Sequence, residues 1–246
     1  MQSVIQISAE AARQIGNAQA LVSHNLSNAG TTAFKSDLYQ ARSEYIRGGN
    51  LESTAVTSSH GAGVDYSPGN IAFTGRDLDV AITGDGWMKV ITPSGEEVLS
   101  RRGDLRVDSD GRLMDATGNQ IIGNRGPIAL PPFGSLTVGN DGTMSLVPLG
   151  EPATNVVAID RIMLVRPPKA ALEKGLDGHV RTPDIANLDA DGSVQLTVGA
   201  LETSNVNPIT AMVQMIELSR AFEGHVQAMK SSEELDTSSA SLMSLE

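Results

Sequence analysis

The feature that most constrains this chain is a pair of apolar heptad stripes, one near each end of the sequence. Alternating steps of three and four residues place side chains on one face of a helix. In the N-terminal segment that spacing connects Val4, Ser8, Ala11, Ile15, Ala18 and Val22. In the C-terminal segment it connects Met212, Met215, Ser219, Phe222, Val226 and Met229. We therefore expect an amphipathic helix at each terminus.

Local signals indicate where these helices begin and end. The first should end near residue 28, because Gly30 can take the left-handed conformation that closes a helix. The second should start at Asn207 and Pro208, since asparagine caps free amides and proline at the first helical position sacrifices no hydrogen bond. A weaker stripe of Leu235, Leu242 and Leu245 continues to the last residue.

The middle of the chain has the pattern of a β domain. Short runs at 78–82, 105–107 and 194–198 alternate apolar and polar residues, as half-buried strands do. Between the strands stand Asp-Gly pairs, which favour tight turns with a positive backbone angle. The pairs are Asp85-Gly86, Asp110-Gly111, Asp141-Gly142 and Asp191-Gly192.

These patterns predict an α+β fold in three parts. Residues 1–35 and 205–246 form a discontinuous, coiled-coil-like helical domain. Residues 36–75, rich in Ser, Thr, Gly and Asn from Gly48 to Gly63, form an extended linker. Residues 76–204 form a mostly antiparallel, β-rich outer domain.

Each terminal helix needs a partner, because an isolated helix of this length is marginally stable in water. One helix pair would still leave Ile5, Leu26, Ile216 and Leu218 to cover. Two arrangements would cover these residues: packing between copies of the chain, or a two-helix cap on the chain's own β domain. The sequence does not choose between them.

Composition excludes several classes of function. Eighteen basic against 29 acidic residues give a net charge of −11, which makes nucleic acid an unexpected partner. The chain has no cysteine, so disulfides and thiolate chemistry are excluded. No apolar run approaches the roughly 20 residues of a transmembrane helix. Residues 1–5 lack a basic leader and a cleavage site, so no Sec-type signal peptide is expected.

No catalytic, cofactor or metal site is predicted. The four histidines lie in separate segments, at His24, His60, His179 and His225. Asn187, Asp189, Asp191 and Gly192 match the first half of a calcium loop that would begin at Asn187. Val198 occupies its twelfth position, where a glutamate is required, so a turn is the better interpretation. A ligand-binding or enzymatic β domain with a helical oligomerisation handle, and a surface-exposed fibre, stay open as alternatives.

Residues 24–35 resemble the N-terminal signature of bacterial flagellar rod and hook proteins. The matching residues are Asn25, Asn28, Thr31, Thr32, Phe34 and Lys35. Ala33 replaces the signature's glycine, so the turn there should not need a conformation reserved for glycine. Residues 78–87 resemble the family's central strand motif, and residues 202–207 with 215–223 resemble its C-terminal signature.

The resemblance implies a structural subunit of the flagellar basal-body rod, most similar to the proximal-rod type, with the distal-rod type as the alternative. Such proteins are exported by the flagellar type III apparatus and assemble into the drive shaft that crosses the periplasm. Their partners are other rod proteins and copies of themselves. They transmit torque by packing and have no cofactor or enzymatic activity.

The resemblance and the stripes together predict an assembly interface. We expect the apolar members to be inner contacts: Ile15, Val22, Met215, Phe222, Val226 and Met229. Asn25, Asn28 and Asn205 are expected to fix helix ends or to bond across subunits, and ordinary capping is the alternative for each.

Overall fold

A computed structural model of the chain describes residues 2–39, 41–45, 55–59, 63–175 and 177–243. Two long helices, α1 (Gln2–Ser27) and α2 (Pro208–Met243), flank a central antiparallel β domain. The α+β class and the helical termini are therefore confirmed. Leu245 and part of the predicted linker lie outside the described residues.

Short strands fill the described part of the chain between the helices. They are β1 (Ala41–Tyr45), β2 (Ala55–Ser59), β3 (Ile71–Phe73), β4 (Val80–Thr83), β5 (Trp87–Ile91), β6 (Glu97–Ser100), β7 (Leu105–Val107), β8 (Leu113–Asp115), β9 (Gln120–Gly123), β10 (Gly126–Pro127), β11 (Phe133–Val138), β12 (Thr143–Pro148), β13 (Val157–Arg161), β14 (Leu164–Val165), β15 (Glu173–Lys174), β16 (Val180–Arg181), β17 (Gln195–Val198) and β18 (Ala200–Glu202).

The helix ends follow the sequence signals with one exception. The Asn207 Oδ1 accepts the amide N–H groups of Ile209 and Thr210 at 3.0 and 3.2 Å, which confirms the predicted cap of α2. At the end of α1 the Asn28 Nδ2 donates to the His24 carbonyl at 3.0 Å. The prediction of a left-handed Gly30 is wrong, since its φ is not positive. Instead, the Asn28 side chain and backbone N–H donate hydrogen bonds to the last carbonyl groups of α1.

The chain divides into two compact units. Unit 1 comprises Met1–Ala29, Ser36–Asp65 and Val206–Glu246, and unit 2 comprises Gly30–Lys35 and Tyr66–Asn205. The predicted boundaries differ in two ways. Residues 30–35 belong with the β domain, and the predicted linker contains β1 paired with β2 as well as β3.

Unit 2 is built from antiparallel sheets around a shared apolar core. The largest sheet has the order β15-β16-β6-β5-β9-β8-β7, with β10 beside β9 and β14 beside β5. A three-stranded sheet, β11-β12-β13, and the pairs β17-β4 and β18-β3 complete it. The predicted strands at 78–82, 105–107 and 194–198 appear as β4, β7 and β17. The core includes Met88, Leu105, Leu113, Ile121, Met144 and Ile162, each at most 1% exposed.

The positive φ expected of the glycine in the Asp-Gly pairs is confirmed at two of four positions. Gly111 and Gly142 have φ of 78° and 86°. Gly86 and Gly192 do not have positive φ, and Gly84, at 77°, makes the turn between β4 and β5. Gly86 is needed for a different reason, because a Cβ there would lie 2.5 Å from a methyl group of Val194.

Gly103 is a second position where no side chain fits, in this case because of a backbone atom. A Cβ at Gly103 would lie 1.6 Å from the Val80 carbonyl oxygen, and Gly103 accepts the Val80 amide N–H at 2.9 Å. We expect Gly103→Ala to lower the free energy of unfolding of unit 2 by about 1–3 kcal/mol through overpacking, measured by denaturant titration.

Gly192→Ala is the matched control. Gly192 is exposed, its φ is not positive, and a Cβ added there would have no neighbouring atom within 4 Å. Its free energy of unfolding should stay within about 0.5 kcal/mol of the wild-type value. Equal losses from the two substitutions would contradict the packing argument.

Candidate assembly interface

Helix α1 presents small side chains to its partner. Its buried residues are Ser8, Ala12, Ala18, Val22 and Asn25. Together with the half-buried Ile15 they are spaced by three or four residues, as predicted, with Ala12 taking the place of Ala11. Small residues at these positions allow α2 to approach closely, and α1 and α2 pack along each other within unit 1.

The face of α2 that meets α1 is marked by a hydrogen bond. The Gln19 Nε2 donates to the Ser219 Oγ at 3.1 Å. Met215 and Val226, four residues before and seven after Ser219, share its face and are half-buried. Met229 is half-buried as well, and Phe222 keeps 40% of its surface exposed.

A row beside the residues that meet α1 is also apolar. Ile209, Met212, Val213 and Ile216 are 74%, 53%, 50% and 54% exposed. Their spacing of three and four places them in one row over the first turns of the helix, which we call the α2 stripe. The apolar surface of α2 is therefore wider there than the part that α1 covers, and the stripe is exposed in the single chain.

The nine predicted interface residues are not brought together at one site. Ile15 is half-buried and Val22 buried on α1. Asn25 exchanges two hydrogen bonds with the backbone of Asp37, at 2.8 and 2.9 Å, and so joins α1 to the segment after it. Asn28 caps α1. Asn205 belongs to unit 2, where its amide N–H donates to the Phe34 carbonyl at 3.2 Å.

Unit 2 contains a buried ionic cluster centred on Glu202. Its Oε1 accepts the Lys35 Nζ at 2.6 Å and the Gly69 amide at 2.9 Å, and its Oε2 accepts the Arg101 Nε at 2.7 Å. The Lys35, Arg101 and Glu202 side chains are 3%, 2% and 1% exposed. We call these four residues the Glu202 clasp.

The two cations of the clasp make further hydrogen bonds. Arg101 donates from its two terminal nitrogens to the carbonyls of Ile82, Gly84 and Gly86 at 3.2, 3.0 and 2.6 Å. Its guanidinium carbon lies 5.7 Å from the centre of the Trp87 ring, a cation–π distance. The Lys35 Nζ also donates to the Ser67 carbonyl at 2.7 Å. Burial of charge is tolerated here because hydrogen bonds replace the lost hydration.

Residues 30–35 are bound to unit 2 through their backbone as well. The Ala33 amide donates to the Glu202 carbonyl at 2.8 Å, and the Lys174 Nζ donates to the Lys35 carbonyl at 2.8 Å. The Lys174 Nζ also lies 4.2 Å from the centre of the Phe34 ring. Three segments, 30–35, 66–70 and 200–205, therefore meet at one carboxylate.

The expectation for Ala33 is wrong. This residue has a φ of 57°, in the left-handed region that favours glycine. Among the residues that the structure describes, no other non-glycine residue has a positive φ. The hydrogen bond to Glu202 and the binding of the neighbouring Lys35 hold it there. The alanine therefore adopts the conformation that the family's glycine would take without strain.

Sequence reasoning named Lys35 and Glu202 only as motif matches and did not place Arg101 in any site. The signal that could have indicated the site was the presence of a charged residue, Lys35 or Glu202, inside the motif at each end of the β domain. Their convergence depends on the folding of residues far apart in sequence.

Metal ligation has no support among the described residues, where no three His, Asp or Glu side chains gather closely enough to hold an ion. The Asp191 carboxylate, predicted to form a turn, accepts the amide and hydroxyl of Ser193 at 2.8 and 2.6 Å. Within the described segments, no helix combines the length and the apolar character needed to cross a bilayer.

Two family sequence models match the chain. Residues 81–146 match the model described as flagellar hook protein FlgE/F/G D1 domain. Residues 197–242 match the model described as flagellar basal body rod FlgEFG protein C-terminal. The second match begins in β17, includes Glu202 and covers most of α2.

Individual relatives extend the similarity to nearly the whole chain. The flagellar basal-body rod protein FlgF of Escherichia coli (strain K12) is 36% identical over 227 residues, with 90% of each chain covered. The FlgF protein of Salmonella typhimurium is 34% identical over 241 residues, with 96% of each covered. A FlgG protein from Buchnera aphidicola (subsp. Schizaphis graminum) is 29% identical over 238 residues, with 87% of this chain and 90% of the relative covered.

The Glu202 clasp predicts an asymmetric response to substitution. Glu202→Gln leaves Lys35 and Arg101 as two buried cations with no counter-charge, so we expect a loss of about 3–5 kcal/mol in the free energy of unfolding of unit 2. Lys35→Met should cost less, because Arg101 and Glu202 still balance each other. Denaturant titrations of both variants measure the two losses in free energy of unfolding. A larger loss for Lys35→Met than for Glu202→Gln would contradict the prediction.

The positive φ of Ala33 predicts that a glycine at this position would stabilise unit 2. Ala33→Gly should raise the free energy of unfolding of unit 2 by about 1 kcal/mol, because glycine takes a positive φ without strain. Calorimetry should record a Tm increase of about 2–4 °C. Ala153→Gly, at an exposed position without positive φ, is the control and should give no increase.

Proposed function

The chain belongs to the flagellar basal-body rod protein family, and on that premise we propose that it works as a rod subunit by burying the α2 stripe against neighbouring subunits. It is a structural protein and not an enzyme, as the names of its relatives indicate. Its work depends on the area and shape of its interfaces.

The proximal-rod type is favoured over the distal one. The FlgF relatives from Escherichia coli and Salmonella typhimurium are 36% and 34% identical to the chain. The FlgG relatives from Buchnera aphidicola are 29% and 28% identical over a similar share of the chain. A FlgF-type rod subunit is therefore the better supported assignment.

The exposed α2 stripe is the observation that carries this proposal. Fully burying a side chain the size of valine, isoleucine or methionine stabilises by about 1.5–3 kcal/mol. The four stripe residues leave half or more of their surface exposed in the single chain. Association with other subunits recovers this free energy, and the stripe adjoins the start of α2, where the helix is capped by Asn207.

The inner face of the helix pair has a complementary role in the proposal. Met215, Phe222, Val226 and Met229, with Ile15 and Val22 of α1, hold the two helices together as a coiled-coil-like, discontinuous rod-core domain. The partial exposure of Phe222 leaves part of this face for contacts between subunits. Asn25 and Asn28 support the domain by fixing the end of α1.

Localisation follows from the same premise. We propose that the subunit lies in the part of the rod that crosses the periplasm and that the flagellar type III apparatus exports it there. The motif resemblance at residues 24–35 and 202–223 supports this route. A chain without cysteine is also compatible with an oxidising compartment.

A carboxylate in the α2 stripe tests the proposal. Ile216→Asp should leave the monomer folded, because 54% of Ile216 is exposed to solvent in the single chain. It should block incorporation into the rod, since burial would leave a charge without a partner. Soft-agar motility and electron microscopy of isolated basal bodies measure the effect, with the Tm of the purified monomer as a check on folding.

Gln214→Asp is the matched control. Gln214 is exposed and two residues away, so it points to a different side of the helix. The Gln214→Asp substitution introduces the same carboxylate, and the strain that carries it should swim normally. Normal motility of the Ile216→Asp strain, with the variant present in its rods, would refute the role of the stripe.

A further inference from the structure

We propose that residues 30–35 form a latch that closes on unit 2 through Lys35 and opens as one piece while the sheets of unit 2 stay folded. The inference concerns the single subunit and does not depend on the proposed assembly. Residues 36–65 belong to unit 1, so the latch reaches unit 2 as a separate segment of chain.

Burial within the latch is concentrated at one residue. Gly30 is exposed and residues 31–34 are half-buried, whereas the Lys35 side chain is 3% exposed. None of these six described residues belongs to the apolar core clusters of unit 2. The core of the sheets is therefore complete without the latch, and the Lys35 ammonium is its buried anchor.

The charges of the Glu202 clasp make the latch separable. When Lys35 withdraws, the Glu202 carboxylate keeps the Arg101 Nε at 2.7 Å and the Gly69 amide at 2.9 Å. The pair that stays behind has no net charge. Opening the latch therefore exposes the Lys35 ammonium to water and leaves no unbalanced ion inside unit 2.

Backbone geometry favours opening as well. Ala33 leaves its strained conformation, with φ of 57°, when the latch opens. Opening also breaks the bond from the Ala33 amide to the Glu202 carbonyl and the bond from the Asn205 amide to the Phe34 carbonyl. The closed latch thus joins the first and last segments of unit 2, and Lys35 is the positioning residue that keeps them together.

Native-state hydrogen exchange of the full chain tests the latch. The Ala33 and Asn205 amides report on the latch, and the Leu113 and Ile128 amides, bonded to Ile128 and Ile121 at 3.1 and 3.0 Å, report on the sheets. In Lys35→Met we expect the latch amides to exchange at least about tenfold faster and to stay less protected than the sheet amides, as expected for a segment that opens by itself.

Lys89→Met is the matched control, because the Lys89 side chain is 7% exposed and its Nζ lies 2.7 Å from a Glu97 oxygen within β5 and β6. It should leave the exchange of Ala33 and Asn205 unchanged. Unchanged latch amides in Lys35→Met, or equal protection of all four reporters in the wild-type chain, would overturn the latch.

A measurement on the wild-type chain keeps the test independent of how the variant folds. At low guanidinium concentrations, exchange at Ala33 and Asn205 should show little dependence on denaturant, because a small opening exposes little surface. Exchange at Leu113 should accelerate steeply. A common denaturant dependence of the two groups would show that residues 30–35 open only when unit 2 unfolds.

Discussion

The carboxylate of Glu202 is the interaction on which the organisation of unit 2 depends. It accepts hydrogen bonds from Lys35, Gly69 and Arg101, residues from three distant parts of the chain, in a place almost without solvent. A buried carboxylate needs such partners, since burial of an unpaired charge is costly. The same contact therefore brings together the entry of the chain into unit 2, its exit and the turn between β4 and β5.

Unit 1 is governed by a different constraint, the width of the apolar surface on α2. One part of that surface meets the small residues of α1, and the adjoining α2 stripe faces solvent in the single chain. Unit 2 has its own buried core. Unit 1 carries the exposed α2 stripe, whose burial favours assembly.

Much of the fold could be predicted because its signals are local. Helix caps, heptad spacing and strand alternation depend on neighbouring residues, so α1, α2, β4, β7 and β17 appear where the sequence indicated. Predictions failed where a distant contact decided the backbone. Gly30 was expected to take the left-handed turn, but Ala33 does so because its amide is bonded to Glu202. Gly86 serves the packing of Val194, which only the folded sheet brings beside it.

The sequence by itself determined the α+β class, the helical termini, the family motifs and the absence of cysteine chemistry. Only the tertiary structure decided that residues 30–35 belong to the β domain, that Lys35 and Arg101 share one carboxylate, and that Met212 and Ile216 are exposed in the single chain. The reason is physical. Periodicity specifies which side chains share a face, but the partner of each face and of each charge depends on contacts between segments far apart in the chain.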